Sequence, residues 1–502
     1  MNKLYVFAVG GTGARVLKSL IMLMASGAKL NAKMIVPIIM DPHADNEDVK
    51  RTIECIRAYN AINRTLGPDN EGFFRTPVKT LKELHKGDSS TDNVVFELND
   101  VDQQRFSDYI DYPALGPADQ AMIDLLFSGE LQKPGHVISK RDTNMDEGFY
   151  GNPDLGSVVL NQFAETEDYD AFASTYNQGD RVMIISSIFG GTGAAGLPVI
   201  LNNIRNAMTS GHQNGAVLSN AIVGTMIVLP YFSIQNDENS SIKNGDFYVK
   251  TRSALSYYYE NVSKQQLNKI NATYYISDHG GTDAAYPNDP GAGGQKNKAH
   301  FTEFAAATGI VDFCGLDGMQ TTNAKATGNV YFREFGIEDD QRSVGISHLG
   351  TNTKKEIAVD LCQFKLLQLY VDNQLANTVG KQVWGTFGKT RINSSFLDGE
   401  LMQVHLRDFL KHYTDWEEEI SSNARGLKLF ADTSDLSNIF RGIEPLKGVM
   451  GKKDIGLYDI DHEMNVASSG EFPNAEEKFF SIIHQATRKV LKKNYAVFEN
   501  II

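Results

Sequence analysis

The chain has 502 residues, 41% hydrophobic and 22% charged, with 48 basic against 62 acidic side chains and a formal net charge of −14. That length supports roughly two to four domains with an ample core, and the acid excess argues against a general nucleic-acid or anionic-membrane binder. Three widely spaced cysteines, Cys55, Cys314 and Cys362, show no metal pattern and imply reduced thiols in a cytoplasmic protein, with no signal peptide and no membrane span expected.

The first apolar run, Leu4–Val9, predicts a buried strand. Gly10-Gly11-Thr12-Gly13-Ala14 follows as a glycine loop, and Val16, Leu17, Leu20, Ile21 and Leu23 then mark the apolar side of a helix. Arg15 stands at the start of that helix, where it reaches a phosphate or faces solvent. Met34–Met40 predicts a second strand, ending in the polar loop Asp41-Pro42-His43-Ala44-Asp45-Asn46, which suits ribose or base hydroxyls and amines. Between Glu47 and Glu147 lies a polar stretch with short helical segments, Glu47–Asn60 and Pro117–Phe127, expected as a packing elaboration on the flank. Gly148-Phe149-Tyr150-Gly151-Asn152-Pro153-Asp154-Leu155-Gly156 precedes another short helix, with Pro153 fixing the turn and Asp154 near the helix start.

The most informative segment is Arg181–Arg205. Val182–Ile188 predicts a buried strand, Gly190-Gly191-Thr192-Gly193-Ala194-Ala195-Gly196 a loop without bulky side chains, and Leu197, Ile200, Leu201 and Ile204 a helix. Strand, glycine loop and helix in that order aim free N–H groups and a helix dipole at one point, which suits a phosphate. A dinucleotide fold also satisfies G-x-G-x-x-G here, but it expects an acid about 20 residues further on. No Asp or Glu occurs between Arg181 and Asn236, and G-x-x-x-x-G-K-[ST] is absent from the chain. Without further support the segment is equally a tight strand-to-helix turn.

Further along, Ala221–Leu229 and Ala272–Ser277 predict strands, Val249–Val262 a helix, Tyr231–Asp246 a loop near the ligand and Asp278–Gln295 a long surface loop. Gln295-Lys296-Asn297-Lys298-Ala299-His300 opens a helix that continues through Phe301, Phe304, Ala305, Ile310 and Phe313. His300 and Glu303 fall on its polar turn, as a metal pair or a solvated face. Val330–Phe335 predicts a strand, and Glu356–Leu375, Leu401–Tyr413, Asp415–Ile420 and Phe479–Val490 predict helices.

Four of these segments together resemble the tubulin/FtsZ superfamily of GTPases: the glycine loop after the first strand, the acidic loop after the second, the G-x-x-G-N-P-x-x-G loop of Gly148–Gly156, and the G-G-T-G loop of Gly190–Gly196, with Ala195 departing from the usual tail. The likeness covers about residues 1–310 and is closest to the divergent bacterial tubulin-like group. It implies an α/β fold: a tubulin-like nucleotide-binding domain with a parallel sheet and helices on both faces, a central helix, then a mixed α/β C-terminal domain. The domains would be 1–310, with 47–147 as an insertion, and 311–502, an activation-like domain with a helical tail.

The resemblance further implies GTP or GDP with Mg²⁺, held by Gly10, Gly11, Thr12, Gly13, Ala14, Arg15, Asp41, Asp45, Gly151, Asn152, Pro153, Gly190, Gly191, Thr192, Gly193 and Ala194. Asn297 matches the residue that contacts the guanine ring, since an amide both donates and accepts; its other reading is a helix cap. No metal site made of protein side chains is expected. The implied activity is GTP hydrolysis coupled to head-to-tail self-assembly into filaments, with a water-orienting acid arriving from the neighbouring subunit. Asp312 with Asp317 and the cluster Glu338-Asp339-Asp340 are the candidate acids, and each is also readable as a solvated charge cluster. The alternative is a non-polymerising GTP-binding switch in a larger protein assembly. Partners would be further copies of the chain or other proteins, with no direct nucleic acid and no membrane.

Overall fold

A computed structural model of the chain describes residues 1–42, 46–89, 93–101, 104–133, 136–145, 149, 151–233, 244–260, 270–278, 296–318, 320–321, 330–335, 342–448, 451–452 and 454–499. Its centre is a six-stranded sheet in which every neighbouring pair is parallel. The strands are β1 (Lys3–Val9), β2 (Met34–Met40), β3 (Arg181–Ser187), β4 (Ile222–Val228), β5 (Ala272–Ile276) and β6 (Tyr331–Phe335). Their spatial order is β2-β1-β3-β4-β5-β6. The chain therefore steps outward from β1 to β2, then returns past β1 to build the rest of the sheet on the other side. The last strand comes from beyond residue 310 and pairs Ala272 with Tyr331 through Ile276 with Phe335.

Near-continuous apolar strands are what a parallel sheet covered on both faces requires. Alternation along β1 divides the core in two. Leu4, Val6 and Ala8 join one apolar cluster, and Tyr5, Phe7 and Val9 join the other. The first face carries α1 (Gly10–Ala25), α2 (Glu47–Leu66) and α5 (Phe301–Gly315); the second carries α3 (Pro153–Leu160) and α4 (Gly191–Asn206). Helix α1 is enclosed on all sides, and Gly11 is its one residue that is not buried. Helix α2 runs longer than the sequence pattern indicated and packs Val49, Cys55, Ile56, Tyr59 and Ile62 into the first core.

Past β6 the described elements are mainly helical, including α6 (Val359–Asn373), α7 (Arg407–Ser421) and α8 (Ala475–Asn494), with two short two-stranded pieces. These helices share the first core without a break: Phe74 packs edge-on against Phe364, Phe409 and Phe480, from three separate segments after residue 350. The three cysteines are buried free thiols. Among the described residues, no helix is long and apolar enough to cross a membrane.

Candidate functional site

In an open parallel sheet, the crevice outside the carboxyl ends of the strands opens where the strand order reverses. Here that point lies between β1 and β3, which pair directly from Leu4–Arg181 to Val9–Ser186. The two glycine segments emerge there side by side. Both begin helices rather than forming loops ahead of them: α1 starts at Gly10 and α4 at Gly191. Their N-caps are Val9 and Gly190, neither of which has a side-chain oxygen, and neither first turn contains an acid. Helix α2 is the contrast, capped by the Asn46 side chain with Glu47 and Asp48 in its first turn. Two helix N-termini thus meet at the switch point with donors that no side chain of their own caps, an arrangement suited to an anion.

The other predicted loops converge on the same point. The α3 entry loop lies against α4, since a β-carbon on Gly191 would come within 3.0 Å of the Asn152 backbone nitrogen and 3.2 Å of Gly151 Cα. Pro153 is the first residue of α3, with Asp154 in its first turn. On the other side, a β-carbon on Gly11 would meet the Asn46 amide at 3.0 Å, and that amide donates to Asp41 at 2.9 Å. Asp45 lies outside the described residues.

The glycines do different jobs. Gly10 has φ +72°, a conformation that L side chains rarely adopt. Gly193 is needed for packing: its β-carbon would lie 2.1 Å from the Ser187 carbonyl oxygen, and its own carbonyl accepts the Ser186 hydroxyl at 2.6 Å. Gly13 and Gly196 are likewise pressed against Ala8 and Val9. Gly190 has room, with Ser187 Oγ at 3.5 Å as its nearest neighbour. At Gly193 the lack of a side chain is thus required by packing, because strand and helix already occupy the space. Ala14 is likewise fully buried in the core, and Ala194 accepts the Tyr258 hydroxyl through its carbonyl at 2.9 Å.

Arg15 is 5% exposed and bonded within a buried polar cluster rather than turned to solvent. Its Nε donates to Glu303 at 2.6 Å, Nη1 to Asp48 at 2.5 Å, and Nη2 to the Tyr231 hydroxyl at 2.7 Å and Thr12 Oγ1 at 3.2 Å. The Tyr231 hydroxyl in turn donates to Glu303 at 2.6 Å. Burial opposes the charge on Arg15, but the facing Tyr231, Glu303 and Asp48 outweigh it and hold the guanidinium well above its ordinary value. Asp48 is pushed up by burial, with Arg15 and the Asn297 amide acting against that shift.

Asn297 belongs to the same cluster. Its backbone N–H and its side-chain amide both donate to Asp48, each at 3.0 Å. It does not cap the helix: α5 begins at Phe301, and His300 caps it in a box with Glu303. The reading of His300 and Glu303 as a solvated face is also overturned, because they are 1% and 0% exposed. Helix α5 enters the core at once, so its first polar turn pairs with Arg15 and Tyr231 instead of water. Among the described residues no group of three or more His, Cys, Asp or Glu side chains is placed to hold a metal ion.

The candidate acid Asp317 lies at the other end of the sheet. Helix α5 starts beside Tyr231, just beyond the carboxyl end of β4, and ends where Arg181, the first residue of β3, donates to the Phe313 and Leu316 carbonyls at 2.8 and 2.7 Å. Its 15 residues span about 22 Å, antiparallel to the strands. Asp317 follows directly, exposed, with Oδ1 accepting the Gln320 N–H. Asp312 accepts hydroxyl bonds from Tyr274 and Tyr331. Asp339 and Asp340 lie outside the described residues. The buried Arg15–Asp48–Glu303–Tyr231 cluster has no signature in residue spacing, because its members are scattered from residue 15 to 303.

No family model matches the sequence, and no curated protein matches it. Among solved structures the chain is similar to CetZ2 from Haloferax volcanii, described as a GTPgS bound protofilament, with 12% identity and a TM-score of 0.27. The match covers 64% of this chain and 59% of that one, so the chain spans about three fifths of the relative's length. A likeness at this level carries no weight for function.

Proposed function

We propose that the protein binds GTP or GDP at the β1/β3 switch point and belongs with the tubulin/FtsZ-like GTPases. The observation that carries this reading is the meeting of two helix N-termini, Gly10–Thr12 and Gly190–Gly193, without side-chain caps or first-turn acids. An anion held there accepts several backbone N–H bonds and two helix dipoles at once. Asp41 and Asn152 border the nucleotide on either side, and Asn297 offers its side-chain oxygen to a base N–H. Mg²⁺ fits as an ion carried largely by phosphate oxygens and water, with Asp41, Thr12 or Thr192 as the candidate protein oxygen ligands.

Hydrolysis needs a group that orients water beside the terminal phosphate. With the glycine helices at the carboxyl end of the sheet and Asp317 at the amino end, this acid serves a phosphate held by the next copy in a head-to-tail stack. Such a contact is heterologous, and closes a ring or continues as a filament. Asp339 and Asp340 are the alternative acids. The three buried free thiols fit a cytoplasmic protein.

The test is twofold. Purified protein is denatured and its released nucleotide identified, and protein with GTP, GDP or no nucleotide is sedimented at several concentrations. Retained guanine nucleotide and GTP-dependent pelleting support the reading. Nucleotide without pelleting favours a GTP-binding switch within a larger assembly, and absence of any nucleotide binding overturns both.

A further inference from the structure

A cavity lies among the helices that follow β6. Helices α6 and α7 and the segment after α7 enclose its volume of about 280 Å³. Leu361, Trp416, Ile420, Leu427, Leu429 and Phe430 give it aliphatic and aromatic walls. That size and lining approach those of a small-molecule pocket.

Its polar groups are few and unequal in charge. Glu417 is the carboxylate of the lining, and it is bridged to Lys365 at 3.1 Å, whose ammonium sits 5.5 Å from the Phe430 ring centre. Lys428 and Arg441 also border the cavity. Arg441 is fixed by its Nε, which donates to the Phe430 carbonyl at 2.5 Å, and among the described residues neither Arg441 nor Lys428 has an acidic partner. Tyr413 also lines the cavity, and its hydroxyl is fully buried and without a hydrogen-bond partner among the described residues. A chain with a net charge of −14 thus places two uncompensated cations beside an aromatic hollow.

We propose that this cavity binds a small aromatic anion: a flat ring seated on Phe430 and Trp416, with a carboxylate, sulfonate or phosphate group meeting Lys428 and Arg441. Apolar contact supplies the seat, and the charge-assisted bonds fix orientation and select the anion. Trp416 also donates its indole N–H to Ser19 of α1 at 3.0 Å, so a ligand on its ring braces a side chain that touches the first glycine helix. The site does not depend on the nucleotide reading.

The probe is 1-anilinonaphthalene-8-sulfonate, titrated into the intact protein and followed by its fluorescence, beside the neutral N-phenyl-1-naphthylamine. The expected result is saturable binding of one sulfonate dye per chain, at least 10-fold tighter than the neutral one. Lys428→Gln with Arg441→Gln, on side chains outside the core, should leave the melting curve unchanged and weaken the sulfonate at least 10-fold. Equal binding of the two dyes, sulfonate binding that the double variant leaves intact, or no saturable binding overturns the proposal. The comparison of dyes on the unaltered protein decides it even if the variant does not fold.

Discussion

Gly193 lies so close to Ser187 that a β-carbon on it would sit 2.1 Å from the Ser187 carbonyl oxygen. One helix of the candidate site is thereby clamped to the strand that precedes it, and this packing face is separate from the helix end proposed to hold an anion.

That separation gives a clean pair of variants. Gly193→Val should fail by unfolding, with a loss beyond the 1–3 kcal/mol typical of overpacking because backbone has to move. Gly190→Asp meets only ordinary contact at 3.5 Å and adds a helix cap. It should raise stability by only about a few tenths of a kcal/mol while abolishing nucleotide binding, because a carboxylate then occupies the place proposed for the anion. Urea unfolding and nucleotide titration of the two variants check this; Gly190→Asp that still binds GTP would remove the switch point as the phosphate site.

Arg15 neutralises a buried pair of carboxylates. Arg15→Ala should cost about 3–5 kcal/mol, the usual result of leaving buried charge unpaired. Burial already raises the Asp48 carboxyl above its ordinary value, and loss of the guanidinium raises it further. The folded state then holds a proton that the unfolded chain releases above the ordinary carboxylate range, so stability falls as pH rises through that window. The defect should therefore be smaller at about pH 5 than at about pH 7.5, as read from urea midpoints at the two values.

Lys18 is 4% exposed, and burial lowers its pKa from the ordinary 10.5. The unfolded chain thus binds more protons between the lowered value and 10.5, and that group's contribution to stability rises with pH across the window. Lys18→Met should stabilise the protein by on the order of 1 kcal/mol at neutral pH, with the advantage shrinking toward pH 10.5. Chemical unfolding of both proteins across that range is the measurement, and a pH-independent difference would contradict it.

A site completed across a head-to-tail contact should be restored by mixing. Asp317→Asn should bind GTP but turn it over slowly, and Gly190→Asp should bind none. Combined, the second supplies Asp317 to the nucleotide held by the first, and turnover should recover to a substantial fraction of the parent's, rising per molecule with concentration. No recovery, with the same experiment positive for Asp339→Asn and Asp340→Asn, would move the acid to that cluster.

The sheet strands at Leu4–Val9, Met34–Met40 and Val182–Ile188 were legible because a buried parallel strand is an uninterrupted apolar run. The glycine pattern marked where the chain turns from strand to helix. It could not say which glycines face a ligand and which face Ser187 or Ala8, because that depends on how closely the helix lies on the sheet. The ion cluster was invisible for a different reason. Arg15 and Glu303 are separated by 288 positions, and residue spacing reports neighbours along one element, not partners across a fold. His300 and Glu303 looked solvated since a polar first turn ordinarily is, but α5 has no outward side at that end.

The distance along the chain between Arg15 and Glu303 also bears on how the protein is made. At about 5–20 residues per second, a ribosome that has released Arg15 needs on the order of 15–60 s to deliver its second carboxylate, and longer for the Trp416 that bonds Ser19. Over that interval the first helix carries a cation without its full set of partners and cannot settle into its final place. Nascent chains ending before α5 should stay protease-sensitive and depend on chaperones, with compact structure arriving late and nearly all at once.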